Sequence, residues 1–433
     1  MVIAGSPLRL FRLSGGGAHI ISLAEAGAVP DTGAIRQMID RFIDAGALHP
    51  EPEHGTFSVV DVTVVMPAHG HRPVALGSPA LDGMAVVVVD DASTTPLDIV
   101  DAHLVRRPQN GGPAAARNTG LQSVATPLVA FVDADVVLPP DWLAPLLLHF
   151  TDDRVALVAP RVVSEPGRGL VADHETRHSP LDLGPDPARI APGTRVSYVP
   201  AAVVVARTDA VREIGGFDES LRVGEDVDLV WRLVDDGRRC RYEPAVVVEH
   251  RPRDGIGPML RQRRDYGTSA APLARRHPGR LAPVRMSGWS ALAWGLIAGR
   301  RPLLAFGVAA ATTVALVRKL RDVPSRDAAL LALTGHLAAG RQLARALRRV
   351  WWPLALVAAI GSRHARALVV AALVAPAIDD AIRTRSTRPL LDLPMAIADD
   401  AAYGAGVWRG VVAERDVGPL LPEFRNWPSR DAG

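Results

Sequence analysis

Four valines run straight into two aspartates at Val86-Val87-Val88-Val89-Asp90-Asp91. The same shape recurs at 59–67, which runs up to Ala68, and at 129–133, where the apolar run ends in Asp133-Ala134-Asp135. Continuous β-branched runs of strand length, separated by helical or loop stretches, are the pattern of strands buried on both faces of a parallel sheet. The alternation therefore predicts an α/β, Rossmann-like doubly wound sheet. Ligands of such sheets bind beyond the carboxyl ends of the strands. Asp90, Asp91, Asp133 and Asp135 are thereby expected on one rim.

Length and composition allow two to four domains: 433 residues, 48% hydrophobic and 22% charged. Three parts are expected. Residues 1–57 read as a small winged-helix module: a strand at 8–13, a helix at 18–25, and a second helix with Ile35, Met38, Ile39, Phe42 and Ile43 at helical spacing. Asp31 and Thr32 offer N-caps for it, and Ala47-Leu48 could begin a second strand. Residues 58–284 carry the candidate chemistry. Residues 285–433 are apolar and helical, with Arg300, Arg301, Arg318, Lys319 and Arg321 bounding an apolar stretch at 302–317. That stretch is short of the roughly 20 residues of a standard span. Interfacial or re-entrant helices at the cytoplasmic face of the cell membrane are expected. Met1 to Leu13 has no apolar stretch of signal-peptide length. Cys240 is the only cysteine, which excludes an intrachain disulfide and fits a reducing compartment.

Taken singly, the polar motifs are modest. Asp133-Ala134-Asp135 can hold a divalent cation through carboxylate oxygens, but a second Asp-x-Asp stands at Asp226-Val227-Asp228. Asp90, Asp91 and Ser93 suit either ligand contacts or a turn. Asn110-Gly111-Gly112-Pro113 opens a small-residue helix carrying Arg117. Gly224-Glu225-Asp226 sits at a helix start, where acids are favoured by the dipole. Val246-Val247-Val248-Glu249-His250 is a strand ending in histidine.

Their order, with Pro67-Ala68 before them and Gly215-Gly216-Phe217-Asp218 between, resembles family 2 glycosyltransferases of the nucleotide-diphospho-sugar transferase (GT-A) fold, over about residues 58–255. The resemblance implies inverting transfer of a hexose from a nucleotide-sugar, most often UDP-linked. It implies a Mg²⁺ or Mn²⁺ ion held by Asp135 with Asp133 and His250, and Asp226 as the base that deprotonates the acceptor. Pro67, Ala68, Asp90, Asp91, Arg117 and Asp133 would bind the donor nucleotide. Glu225, Trp231 and Arg264 would bind the acceptor, Arg264 lying in a stretch similar to the Q-x-x-R-W element of processive synthases. His69 and Gly70 depart from the aromatic and Asn usual after Pro67-Ala68, which bears on base stacking and on the rigidity of the donor site.

The three-part layout resembles the glycosyltransferases of the mycofactocin system, with residues 1–57 similar to PqqD-like peptide-recognition modules. That resemblance implies a UDP-glucose donor, a peptide-derived redox cofactor or its precursor peptide as acceptor, and a membrane surface as partner. A cell-envelope polysaccharide or polyprenyl-lipid transferase is the alternative. A winged-helix nucleic-acid regulator is disfavoured. Net charge is only +3, and Arg36 and Arg41 of the second helix are offset by Asp40 and Asp44.

Overall fold

The computed structural model describes residues 1–30, 32–384 and 389–425. The chain divides into two compact units, Val2–Gly255 and Ile256–Gly433.

The first unit opens with a hairpin of β1 (Val2–Ala4) and β2 (Arg9–Phe11), then α1 (Gly15–Glu25) and α2 (Gly33–Asp44). Ser14 caps α1 by accepting from the Gly17 N–H at 3.2 Å. Thr32 stands at the N-cap position of α2 without a side-chain capping bond, and Asp31, the other cap expected there, lies outside the described residues. Phe42 is buried and its ring stacks on Phe11 at 4.2 Å. Ala47-Leu48 is not a strand: both amides bond to the Phe42 carbonyl at the end of α2 and have none left for a ladder. The partner of β2 instead precedes it, so the hairpin stands before both helices.

The sheet follows in chain order: β3 (Val62–Ala68), β4 (Ala85–Asp90), β5 (His103–Arg106), α3 (Pro113–Gln122), β6 (Leu128–Val132), β7 (Val136–Val137), α4 (Leu143–Leu148), β8 (Val155–Ser164), α5 (Leu170–His178), β9 (Ala188–Ile190), β10 (Val203–Arg207), α6 (Thr208–Glu213), α7 (Glu225–Asp235) and β11 (Arg239–His250). The strand order is β5-β4-β3-β6-β10-β8-β11-β7, with β9 on β11. β5, β4, β3 and β6 run parallel, as the alternation predicts. β10 runs antiparallel to both neighbours, so the sheet is mixed rather than wholly parallel. β9, antiparallel to β11, shares this reversed direction. The consequence is local: the beginning of β10 meets the end of β6, where the Asp133 amide bonds to the Ala202 carbonyl. All five β6 residues are buried, as are the four nearest the end of β4. Gly120 lets α3 lie close on the sheet, since a Cβ there would meet Val65 Cγ1 at 2.3 Å.

Arg239 ties the N-terminal module to the sheet. It is 7% exposed and pairs with Asp44 at 2.8 Å, Asp152 at 2.6 Å and Asp40. These acids are 34% (Asp40), 35% (Asp44) and 31% (Asp152) exposed, so water re-solvates them once the arginine is gone. Arg239→Met is expected to cost about 2–3 kcal/mol of stability. Urea denaturation checks this, and an unchanged midpoint would mean the module is held by other contacts.

The second unit contains α8 (Ile256–Thr268), α9 (Ala270–Arg276), β12 (Arg285–Met286), α10 (Gly288–Ala298), α11 (Pro302–Lys319), α12 (Ser325–Arg349), α13 (Trp352–Gly361), α14 (Arg363–Thr384), α15 (Pro389–Glu414) and β13 (Glu423–Phe424). α8 and α9 pack on α15 within this unit. Among the described residues α11 is the one helix long and apolar enough to cross a membrane; 6% of it is buried. It runs two residues past the apolar stretch, through Arg318 and Lys319.

Candidate active site

The ends of β3, β4 and β6, the start of α7 and the end of β11 supply the polar residues. At the centre is Arg117 on α3, whose side chain is 3% exposed. One Nη donates to Asp133 at 2.6 Å and the other to Glu225 at 2.8 Å. The guanidinium lies 5.3 Å from the Phe217 ring centroid, which packs edge-on against Phe131. Burial opposes its charge, yet the two carboxylates raise its pKa further, so it stays cationic. A single planar fork thus bridges the Asp-x-Asp strand end to the start of α7.

Asp226, next to Glu225, accepts from its own Val227 amide at 2.8 Å and from the Ala201 amide at 3.4 Å. The Ala201 amide is available because β10 begins at this rim. Burial, and then the charge of Glu225, push the Asp226 carboxyl up to about 7. That value suits a proton acceptor working near neutrality.

Asp135 Oδ1 lies 3.2 Å from His250 Nε2, with Arg253 at 4.0 Å from Oδ2. Burial alone raises the Asp135 carboxyl, but the His250 hydrogen bond and charge outweigh it and the pKa lies below the usual range. Burial lowers His250, and Asp135 more than restores it, so its pKa is raised. Among the described residues no group of three or more His, Cys, Asp or Glu side chains is gathered to hold an ion. Two ligands 3.2 Å apart have the spacing of adjacent positions around a cation with bonds of ~2.1 Å. Asp135 and His250 therefore fit a divalent ion that completes its shell with phosphate and water. Asp133 Oδ1 accepts from Arg117, and Asp133 does not complete a group of three with them.

On the donor side, Asp90 is wholly buried and accepts from the Ser93 and Leu97 amides and from Arg106. Asp91 accepts from the Gly111 and Gly112 amides at 3.0 and 2.8 Å, with Arg107 Nε 2.9 Å away. Both acids hold loops together. These three donors leave one lone-pair site of Asp91, on Oδ2, for a base contact. Pro67 and Ala68 end β3, and the Ala68 carbonyl accepts the Asp91 amide. His69 and Gly70 are tied down: Nδ1 of His69 lies 3.0 Å from the Asp91 carbonyl, and the Gly70 amide donates to Ser93 Oγ at 2.8 Å.

Two of the three expected acceptor contacts come out differently. Trp231 is 2% exposed and its indole N–H donates to the Ser197 carbonyl, so it is a core residue and not a sugar platform. Glu225 is buried and committed to Arg117. Arg264 belongs to the second unit, on α8, with its guanidinium on Asp265 at 2.9 Å.

Arg106 and Arg107 escape a reading by motif, and Asn118 stands beside Arg117 in its motif with no role legible from sequence. Asn118 accepts from the Phe217 amide and donates to the Phe217 carbonyl, both at 2.8 Å, fixing the loop ahead of Glu225. A signal for Arg106 does exist: the parallel register sets it opposite Asp90.

Residues 128–365 match the model of glycosyl transferase family group 2. The chain is 41% identical to the pre-mycofactocin glycosyltransferase of Mycobacterium tuberculosis, over 98% of this chain and 94% of that one. It is 28% identical to the succinoglycan biosynthesis protein ExoO of Rhizobium meliloti, over 47% of this chain and 64% of that protein. A solved mannosyltransferase from Pyrobaculum calidifontis, in complex with GDP-Man and Mn²⁺, aligns over 92% of this chain and 99% of its own at 20% identity and a TM-score of 0.46. The α/β, GT-A reading of the sheet unit stands with this membership. The chain belongs to the family 2 glycosyltransferases, in the pre-mycofactocin glycosyltransferase family.

Proposed function

We propose that the protein transfers glucose, with inversion, from UDP-glucose to a hydroxyl of the peptide-derived redox cofactor mycofactocin or its precursor. The observation that carries this reading is the Arg117 bridge, which sets the donor-side acid Asp133 and the base motif Glu225-Asp226 on one rim. Asp226 takes the acceptor's hydroxyl proton as that oxygen bonds to the anomeric carbon. The bond from that carbon to the diphosphate breaks, and its electron pair leaves with the diphosphate. Asp135 and His250 would hold a Mg²⁺ or Mn²⁺ ion, which would supply positive charge to stabilise the leaving diphosphate. Ala68, Asp91 and the 110–112 loop shape the nucleotide side. Arg264 remains an acceptor-binding proposal.

Incubation with a panel of UDP- and GDP-sugars, measuring released nucleotide with added Mn²⁺ or EDTA, tests the donor assignment. UDP-glucose turnover that EDTA abolishes is expected. Preference for a GDP-sugar would overturn the donor, and full turnover in EDTA would overturn the ion.

Residues 1–57 are read as the PqqD-like module, 58–284 as the transferase domain and 285–433 as a membrane-associated region at the cytoplasmic face. β1 and β2 form a sheet of two strands, and an unpaired edge of it suits addition of a peptide strand. Membrane association is supported by apolar side chains facing outward on α11 and α13: Leu303 (86% exposed), Phe306 (74%), Val357 (70%) and Ile360 (82%). Arg300, Arg301, Arg318 and Lys319 stand at the ends of α11, where cations meet headgroups. Sedimentation with phosphatidylglycerol vesicles is expected to carry the protein down even in high salt, since apolar insertion is not screened. Recovery in the supernatant at all salt concentrations would contradict this. The same apolar helices favour the second reading, a polyprenyl-lipid acceptor, and transfer gained only with polyprenyl phosphates would select it.

A further inference from the structure

We propose that Arg117 is a positioning residue for the reaction: by clamping Glu225 to Asp133 it sets the electrostatic field in which Asp226 accepts its proton. The inference rests on the reading of Asp226 as the base.

The geometry leaves Arg117 no direct part in binding. Its side chain is 3% exposed, its two Nη groups are taken by carboxylates at 2.6 and 2.8 Å, and its guanidinium lies over Phe217. A substrate cannot reach such a group without dismantling the bridge. Glu225 is the nearest like charge to Asp226, being its neighbour in sequence on the first turn of α7. The groups that face Asp226 are Glu225 from α7, Arg117 from α3, and the amides of Val227 and Ala201. Glu225 raises the proton affinity of Asp226 and Arg117 lowers it. Asp133 stands on the far side of the same guanidinium. One cation therefore balances an acid of the donor motif and an acid of the base motif. Its removal leaves the charge of Glu225 bearing on Asp226 without a counterion.

The test is the pH dependence of kcat/KM for acceptor transfer in Glu225→Gln, Arg117→Met and the double variant, alongside Asp226→Asn. Glu225→Gln is expected to move the rising limb to lower pH by roughly one unit, because a like charge is lost. Arg117→Met is expected to move it upward by a similar amount. The double variant should return close to the wild-type limb, a rescue that a merely structural arginine would not give. Should Arg117→Met fail to fold, Glu225→Gln and the double variant still decide. Rising limbs that coincide with wild type in every folded variant, with Asp226→Asn inactive, overturn the Arg117 role alone. Full transfer by Asp226→Asn removes the base itself, and this inference with it.

Discussion

Asp226→Asn is expected to lose roughly 10²- to 10⁴-fold in acceptor transfer, the usual contribution of a positioned general base, while donor affinity stays near wild type. The split follows from where Asp226 sits. Its two oxygens each accept one amide, from Val227 and from Ala201; an Asn side chain keeps the size and the stronger Val227 bond, turns its NH2 toward the weaker Ala201 donor, and cannot take a proton. In the wild type, burial and the neighbouring Glu225 raise the Asp226 carboxyl to about 7. Only the deprotonated form can act, so kcat/KM for the acceptor should rise with pH through that region and level off above it. Below it the carboxyl is protonated and transfer falls tenfold per unit. Steady-state kinetics with the acceptor varied, beside calorimetric titration of the donor, separates the two effects. An unchanged transfer rate in Asp226→Asn would remove the base assignment.

Asp135→Ala should cost roughly 10²- to 10³-fold in donor turnover, the scale of losing one preorganised electrostatic contact to developing charge. Asp135 and His250 face each other at 3.2 Å, each shifting the other toward its charged form, and a bound ion would take the place of the imidazole's proton. Removing Asp135 takes away both an oxygen ligand and the partner that orients the imidazole. His250→Ala should cost less, since the carboxylate and Arg253 remain. Released nucleotide measured against Mn²⁺ concentration reads this directly. The wild type should saturate, and Asp135→Ala should stay low and flat. A saturating curve in Asp135→Ala matching wild type would move the ion site elsewhere.

Much of this rim can be read from the sequence, for a definable reason. Strands buried on both faces announce themselves as unbroken valine-rich runs, and the acids that end them fall at the carboxyl rim. That reasoning finds Ala85–Asp90 to the residue and Leu128–Val132 to within one. What it misses depends on partners distant along the chain. Arg117 meets Asp133 16 residues away and Glu225 108 residues away, and in an arginine-rich chain a single arginine carries little weight. Asp90 and Asp91 are recognisable as rim acids, but their commitment to Arg106, Arg107 and loop amides appears only with the strand register. Trp231 misleads because α7 is buried around most of its circumference, so distance from the base along the helix does not tell core from cleft. The reversal of β10 is equally hidden: Val203–Arg207 looks like any buried strand, and direction is set by its connections.

The central claim is a single displacement at this rim, with Asp226 taking the proton and no covalent glycosyl-enzyme between donor and product. The anomeric configuration of the first transferred glucose, read by proton NMR before any equilibration, tests it most directly. From an α-linked nucleotide-sugar a β-linked product is predicted; an α-linked product would mean two displacements or front-face attack, and would contradict the account.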